Sequence, residues 1–295
     1  MRGYTVPVSS LSSSDFEPLV RIALQEDSPE GDITSLALFS KNDLGEARLV
    51  SREEGILCGS GVLEVIQREI GSKLSARFHR GDGEMFQKGE VIATLVGSYL
   101  DILRIERIFL NFLQHLSGIS TTTHNLQTQY PNLKILDTRK TLPGYRKLAK
   151  YAVYIGGGYN HRISLSDMGM LKDNHIAAYG SIANAVKKFR ENYPSKKIEL
   201  EIDSLEQLPE AISVKPDILL LDNFSISDMK TAVHKIRDTN LHLQSPIQIE
   251  VSGGITPEKL KDLNEIGGIG VSMGYLTHTT RFLDLSLEVK VTNAN

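Results

Sequence analysis

Apolar residues recur at two different spacings along the chain, and the change between them divides it. Phe16, Leu19, Val20, Ala23 and Leu24 fall at helical intervals and predict a helix over residues 15–26, with Ser14 or Asp15 as its cap. Between residues 45 and 97 short β-prone runs (47–50, 76–78 and 91–96) are broken by Gly81-Asp82-Gly83, with a helix predicted over 61–70. Residues 101–117 read as a strong helix, its apolar positions supplied by Leu103, Ile105, Ile108, Leu110, Leu113 and Leu116. From there the pattern changes. Apolar runs at 133–136, 169–171, 198–202, 218–221, 247–251 and 269–273 mostly alternate with helical stretches such as 181–193 and 227–237. Nearly continuous apolar strands between helices predict a parallel sheet covered by helices, and about six such units in series predict an incomplete βα barrel.

Composition narrows the function classes. The 295 residues are 40% hydrophobic and 23% charged, with a formal net charge of −3, so no global basic field draws in nucleic acid or an anionic membrane. Anionic ligands would have to meet locally concentrated cations. No stretch approaches the ~18 apolar residues of a membrane span, and residues 1–14, with a serine-rich run over 9–14, read as a flexible lead-in without the apolar core of a signal peptide. Cys58 is the only cysteine, so no intrachain disulfide forms, and a cytoplasmic protein is expected. Cys58 itself reads as a small packed residue.

The chemistry sits where the predicted strands end. The first run leads into Asp137-Thr138-Arg139-Lys140, the second into Lys172-Asp173-Asn174-His175, and the third contains Glu201. The fourth leads into Asp222, the fifth into Ser252-Gly253-Gly254 and the sixth into Gly274. In a βα barrel those ends share one mouth. One charged strand end is an ordinary solvated loop; several in succession, with two acids and three bases, point to a site. Arg139, Lys140, Arg146, Lys147, Lys150, His161 and Arg162 fall within 24 residues around Gly156-Gly157-Gly158. For Arg146, Lys147 and Lys150, on a short helix predicted over 143–151, a solvated helix face is the expectation. Arg139, His161 and Arg162 abut strand ends or the triple glycine, where charge more often serves a ligand.

The ordered motifs D-T-R-K-T-x-P-G-x-R, G-G-G-x-N-H-R, K-D-N-H, E-x-D-S-L, L-D-N, E-x-S-G-G-I and S-x-G-x-L-T-H resemble the quinolinate phosphoribosyltransferase family. G-D-G, E-R, L-N and S-G-I-S-T in the first half agree, and the likeness runs from about residue 15 to 285. It implies an α/β fold of the type II phosphoribosyltransferase kind: a small α/β N-terminal domain over 15–117, an open βα barrel over 118–279, and residues 280–295 packing back on the first domain. It also implies a glycosyltransferase (pentosyltransferase) of NAD biosynthesis, acting as a homodimer or a dimer-based assembly with shared active sites. A shorter segment, G-D-G-E-M-F-Q-K-G-E-V-I-A, resembles the hairpins of biotinyl and lipoyl carriers, but a plain hairpin with turn glycines is the expected reading.

By the family resemblance, Arg139, His161, Arg162 and Lys172 hold the two carboxylates of quinolinate, with Arg107 arriving from the partner subunit. Read from the sequence alone, Arg107 is an ordinary helix-surface charge. Lys140 is implied for pyrophosphate, and Ser252, Gly253, Gly254, Gly274 and His278 for the 5-phosphate of phosphoribosyl pyrophosphate. Glu201 and Asp222 are implied to stabilise the ribose cation, hold its hydroxyls or bind Mg²⁺ through water. Tyr145, Tyr159, Met170, Val251 and Tyr275 stand at variable motif positions and remove no charge.

Three rivals remain at this point. A nicotinate enzyme or a molybdenum-transport-associated paralogue would keep the barrel, although a monocarboxylate needs fewer cations. A carrier or anion-binding module would not need Glu201 and Asp222. A barrel decarboxylase using no ribosyl donor would keep the phosphate cradles.

Overall fold

The computed structural model of the protein describes residues 5–290 and separates into two compact units, neither contiguous in sequence. Of the expected flexible lead-in, residues 1–4 lie outside the described residues.

One unit comprises residues 8–124, 141–157 and 276–290. Helix α1 (Ser13–Asp27) starts two residues earlier than its apolar pattern predicts. Its cap is Ser12, not Ser14 or Asp15, because the Asp15 carboxylate accepts the Ser12 backbone N–H at 2.8 Å and thereby becomes the third helical residue. After α2 (Ile33–Leu38) come β1 (Leu44–Ser51), β2 (Gly55–Ile56), α3 (Val62–Ile70), β3 (Ser75–Phe78), β4 (Met85–Phe86) and β5 (Val91–Ser98). An antiparallel sheet runs β12-β1-β5-β3, where β12 is Leu285–Lys290. Helix α3 buries Val62, Leu63, Val65 and Ile66, a one-sided apolar face.

The Gly81-Asp82-Gly83 turn is not a hairpin tip. The Asp82 carboxylate accepts the backbone N–H groups of Gly59 and Ser60 at 2.9 and 3.0 Å and the Tyr151 hydroxyl at 2.9 Å. These bonds draw the turn onto the 55–60 segment, so β4 pairs with β2 and not with β5. Cys58 packs beside them, fully buried, and desolvation raises its thiol pKa.

Helix α4 (Tyr99–Gln129) runs well past the predicted end at 117, through S-G-I-S-T. Gly118 is forced by a neighbour: a Cβ there would lie 2.3 Å from the Arg281 carbonyl oxygen. The expected solvated face of the next helix, α5 (Arg146–Ile155), is corrected. Lys147 is exposed and pairs with Asp15 at 2.6 Å, but Lys150 has no exposed surface. It lies among the buried Leu148, Ala149, Ala152 and Val153, on a helix tied to α4 by the Ser120 hydroxyl donating to the Ala152 carbonyl at 2.7 Å.

The second unit comprises residues 5–7, 125–140 and 158–275. Its strands are β6 (Leu133–Leu136), β7 (Gly169–Leu171), β8 (Ile198–Ile202), β9 (Ile218–Asp222), β10 (Gln248–Ser252) and β11 (Ile269–Ser272). Helices α6 (Asp173–Tyr179), α7 (Ile182–Asn192), α8 (Leu208–Ser213), α9 (Ile226–Asn240) and α10 (Leu260–Ile266) connect them, and α11 (Tyr275–His278) follows β11. All six strands are parallel, in the order β6-β11-β10-β9-β8-β7. The barrel is therefore open between β6 and β7, as its six-unit pattern predicts, and Tyr159 bridges to Leu136 along the free edge of β6. Ile198, Leu200 and Ile202 of β8 alternate with Glu199 and Glu201, so the two acids share the opposite sheet face.

Candidate active site

Because the strands are parallel, their C-terminal ends lie along one edge, and the parallel unit gathers Arg139, Lys140, His161, Arg162, Lys172, Glu201, Asp222, Ser252, Gly253, Gly254 and Gly274 on its own strands and strand-end loops. Arg107, exposed on α4, belongs partway along the other unit's longest helix, and His278, exposed at the end of α11, clusters with that unit too.

Lys172 caps the start of α6, and its ammonium forms an ion pair with Glu201 of β8. Burial raises the Glu201 carboxyl above its ordinary value, and Asp222 and Glu199 add to the rise while Lys172 opposes it. Asp222 ends β9, and the next residue, Asn223, takes a left-handed backbone (φ 54°) and donates from its amide to Asp222 at 2.9 Å. Gly253, at φ 96°, has room for no Cβ: it would meet Asn223 Oδ1 at 2.3 Å. Gly254 is also left-handed, at φ 56°. Two successive glycines with positive φ after a strand expose backbone N–H groups in the way anion nests do.

The turn after Gly158 is clipped beside β6. Tyr159 N–H donates to Ile135 O at 2.8 Å and Asp137 N–H to Tyr159 O at 3.1 Å. Asp137, fully buried, accepts the His161 backbone N–H at 2.8 Å and the Asn160 amide at 2.6 Å. Arg162 is buried as well. It donates to Met168 O at 3.3 Å and sits 3.2 Å from Met170 Sδ. Burial, then the neighbouring Arg139 charge, lowers its pKa, against the pull of Glu199 and Asp167. Asp167 closes the following turn, accepting from the N–H groups of Ile163 and Ser164 at 2.6 and 3.1 Å.

Two residues escape the sequence reading. Glu199 and Glu250 have no exposed surface and lie against the His161 ring, its Nε2 being 2.9 Å from Glu199 Oε2 and 3.5 Å from Glu250 Oε1. Burial, with Glu199 adding to it, pushes the Glu250 carboxyl up to about 8. Their signal was present: a glutamate at the centre of an otherwise apolar strand, Ile198-Glu199-Leu200 and Ile249-Glu250-Val251, faces inward whenever both strand neighbours pack against helices.

The comparisons with known proteins agree with this geometry. Residues 32–117 match the family model of the quinolinate phosphoribosyl transferase N-terminal domain, and residues 119–288 that of the C-terminal domain. The chain is 42% identical over 271 residues to a probable nicotinate-nucleotide pyrophosphorylase [carboxylating] of Bacillus subtilis (strain 168), covering 91% of each chain. It is 37% identical to the nicotinate-nucleotide pyrophosphorylase [carboxylating] of Mycobacterium leprae (strain TN), covering 95% of this chain and 100% of that one. The solved nicotinate-nucleotide pyrophosphorylase from Francisella tularensis superposes with a TM-score of 0.90 at 36% identity, over 97% of this chain and 100% of its own. Human nicotinic acid phosphoribosyltransferase, at 13% identity and a TM-score of 0.60, shares the fold. With both domain models matched and the strand-end residues gathered on one parallel sheet, the chain belongs to the quinolinate phosphoribosyltransferase family.

Proposed function

We infer that the protein transfers the phosphoribosyl group of phosphoribosyl pyrophosphate to quinolinate with decarboxylation, giving nicotinate mononucleotide, pyrophosphate and CO₂. The observation that carries this reading is the gathering of a cation set (Arg139 after β6, Arg162 in the loop before β7 and Lys172 after β7) with two acids, Glu201 and Asp222, at the ends of β8 and β9, all in the one parallel unit. The guanidinium groups and the ammonium suit two carboxylates on adjacent ring carbons. A second copy of the chain supplies Arg107, so the working form is a homodimer or a dimer-based assembly, in the cytoplasm. No helix among the described residues is long and apolar enough to cross a membrane.

Lys140 faces pyrophosphate, and Ser252, Gly253, Gly254, Gly274 and His278 take the 5-phosphate. As the bond from the anomeric carbon to pyrophosphate opens, Glu201 and Asp222 offset the positive charge on the ribose. The quinolinate nitrogen attacks that carbon, and a pyridinium forms. The 2-carboxylate then departs as CO₂, its bonding electrons stay at C2 beside the positively charged nitrogen, and C2 takes up a proton from water to give the product. The oxygen donors of Glu201 and Asp222, hard ligands on adjacent strands, fit Mg²⁺, which takes one or two carboxylates beside substrate phosphates. When bound, Mg²⁺ would neutralise pyrophosphate charge.

The test is a paired assay with Mg²⁺ and phosphoribosyl pyrophosphate, following nucleotide and CO₂ together. Equimolar nicotinate mononucleotide and CO₂ from quinolinate, with none from nicotinate, is expected. Product from nicotinate without CO₂ would overturn the acceptor. Isotope-labelled ribose appearing in the product separates transfer from simple decarboxylation.

A further inference from the structure

His161 stands at the centre of a buried polar cluster, with only 6% of its surface exposed. Its two ring nitrogens meet different partners. Nδ1 accepts the backbone N–H of Arg162 at 2.8 Å. A nitrogen that accepts an N–H keeps its lone pair there, so the ring proton resides on Nε2. Nε2 is the atom facing Glu199 and Glu250, at 2.9 and 3.5 Å. The ring thus lies at ion-pair distance from two carboxyl groups that are shut away from solvent and whose oxygens take no hydrogen bond among the described residues.

The same three residues offer ligand atoms within 4.8 Å of one another, a spacing that suits a metal ion. The ring's hydrogen bonding decides against that use. A metal-bound imidazole gives the metal the lone pair of one nitrogen and donates an N–H from the other. Here the other nitrogen is an acceptor, so the nitrogen facing the acids carries a proton.

The backbone at this point is held from two directions. Asp137, at the end of β6, accepts the His161 backbone N–H and the Asn160 amide. The His161 side chain reaches Glu199 on β8 and Glu250 on β10, the two strands flanking β9. Arg162 follows directly, with its own N–H spent on the His161 ring. Rotation of that ring would therefore move the Arg162 backbone.

We propose that His161 is a positioning residue, a neutral imidazole protonated on Nε2 that anchors the Asn160–Arg162 backbone to Glu199 and Glu250 and so sets the Arg162 guanidinium, and that it is not a cation contacting the acceptor. Glu199 and Glu250 become positioning residues by the same argument. The proposal rests on the reading above that Arg162 binds a carboxylate of quinolinate.

Two measurements test it. The first is a long-range proton–nitrogen NMR spectrum of enzyme labelled with ¹⁵N-histidine, with the His161 signals identified by their loss in His161→Asn. One protonated and one bare, acceptor-type nitrogen are expected, both before and after quinolinate is added. Two protonated nitrogens, or a metal-shifted Nε2 with stoichiometric bound metal, would overturn the proposal. The second measurement is steady-state kinetics of Glu199→Gln and Glu250→Gln, which keep side-chain shape. Displacing a binding guanidinium should raise KM for quinolinate by on the order of tenfold, with KM for phosphoribosyl pyrophosphate within about twofold of the parent value. An unchanged quinolinate KM in folded variants counts against it, and if the variants do not fold, the NMR result on the parent enzyme decides. Parent enzyme inert toward quinolinate would sink the acceptor reading while leaving the ring's protonation state measurable on its own.

Discussion

Lys172 and Glu201 form an ion pair across neighbouring parallel strands, the lysine immediately after β7 and the glutamate one residue before the end of β8. The pair opposes the burial that raises the Glu201 carboxyl above its ordinary value. Replacing Lys172 with methionine removes a cation from the acceptor set and leaves Glu201 with a still higher pKa. The expected outcome is a fall of about 10²–10³-fold in kcat/KM for quinolinate, read from initial rates. Retention of parent activity would remove Lys172 from the site.

Subunit sharing has a direct test. Arg107→Ala and Lys172→Ala proteins should each be nearly inactive alone. Mixed under conditions that exchange subunits, they should recover about a quarter of the parent activity, because one of the two sites in each mixed dimer then carries both intact residues and half of the dimers are mixed. No recovery despite exchange seen by native mass spectrometry would place Arg107 outside the site.

Gly253→Ala tests the phosphate nest. The added methyl group meets Asn223 at 2.3 Å, at a backbone φ of 96° that alanine rarely adopts. A stability loss of about 1–3 kcal/mol is expected by chemical denaturation. KM for phosphoribosyl pyrophosphate should rise more than KM for quinolinate.

Asp82→Asn should act on stability alone. Asp82 accepts two backbone N–H groups and the Tyr151 hydroxyl. An asparagine in its place brings an amide donor up against donors. A loss of about 1–3 kcal/mol is expected, with both KM values near those of the parent. Combination with Tyr151→Phe should cost less than the sum of the two single changes, since they share one bond.

Acid lability has a located contribution in Glu53. The Arg281 guanidinium, then the Asp284 backbone N–H, hold its carboxyl below the ordinary value of 4.5 against the effect of burial. A carboxyl with a lowered folded pKa contributes stability above the unfolded value and loses it as the pH falls through the folded one. Glu53→Gln should therefore lower stability by about 0.5–1 kcal/mol at neutral pH. The gap from the parent should close below pH 4.5, as seen by thermal melts across pH.

The barrel strands were legible because each is a short apolar run with a polar residue at its end, and a parallel strand packed under helices needs both. The site residues on those ends followed from the same fact. What escaped detection depends on pairing at a distance. Nothing local to Gly81-Asp82-Gly83 says that Asp82 will cap the 59–60 backbone, so a hairpin was the natural expectation. Lys150 reads as surface because charge pattern carries no information about a partner helix, here the one bearing Ser120. The end of α4 was misplaced because S-G-I-S-T is weak in helix propensity, whereas a close neighbour at Gly118 makes small residues necessary. Glu199 and Glu250 are hidden in the sequence because each stands inside an apolar run, and nothing local to it says that His161 will lie against it.

The strand that completes one edge of the antiparallel sheet is drawn from residues 285–290, and Arg52 beside β1 reaches Glu288, 236 positions further along the chain. On the ribosome this means that β1 emerges early and waits. Its hydrogen-bonding edge stays bare while the whole parallel unit is being made, so the unit that is translated first is finished last. Until Leu285 arrives, that open edge is the surface through which nascent chains would pair with one another, and a product released before that residue would keep it exposed.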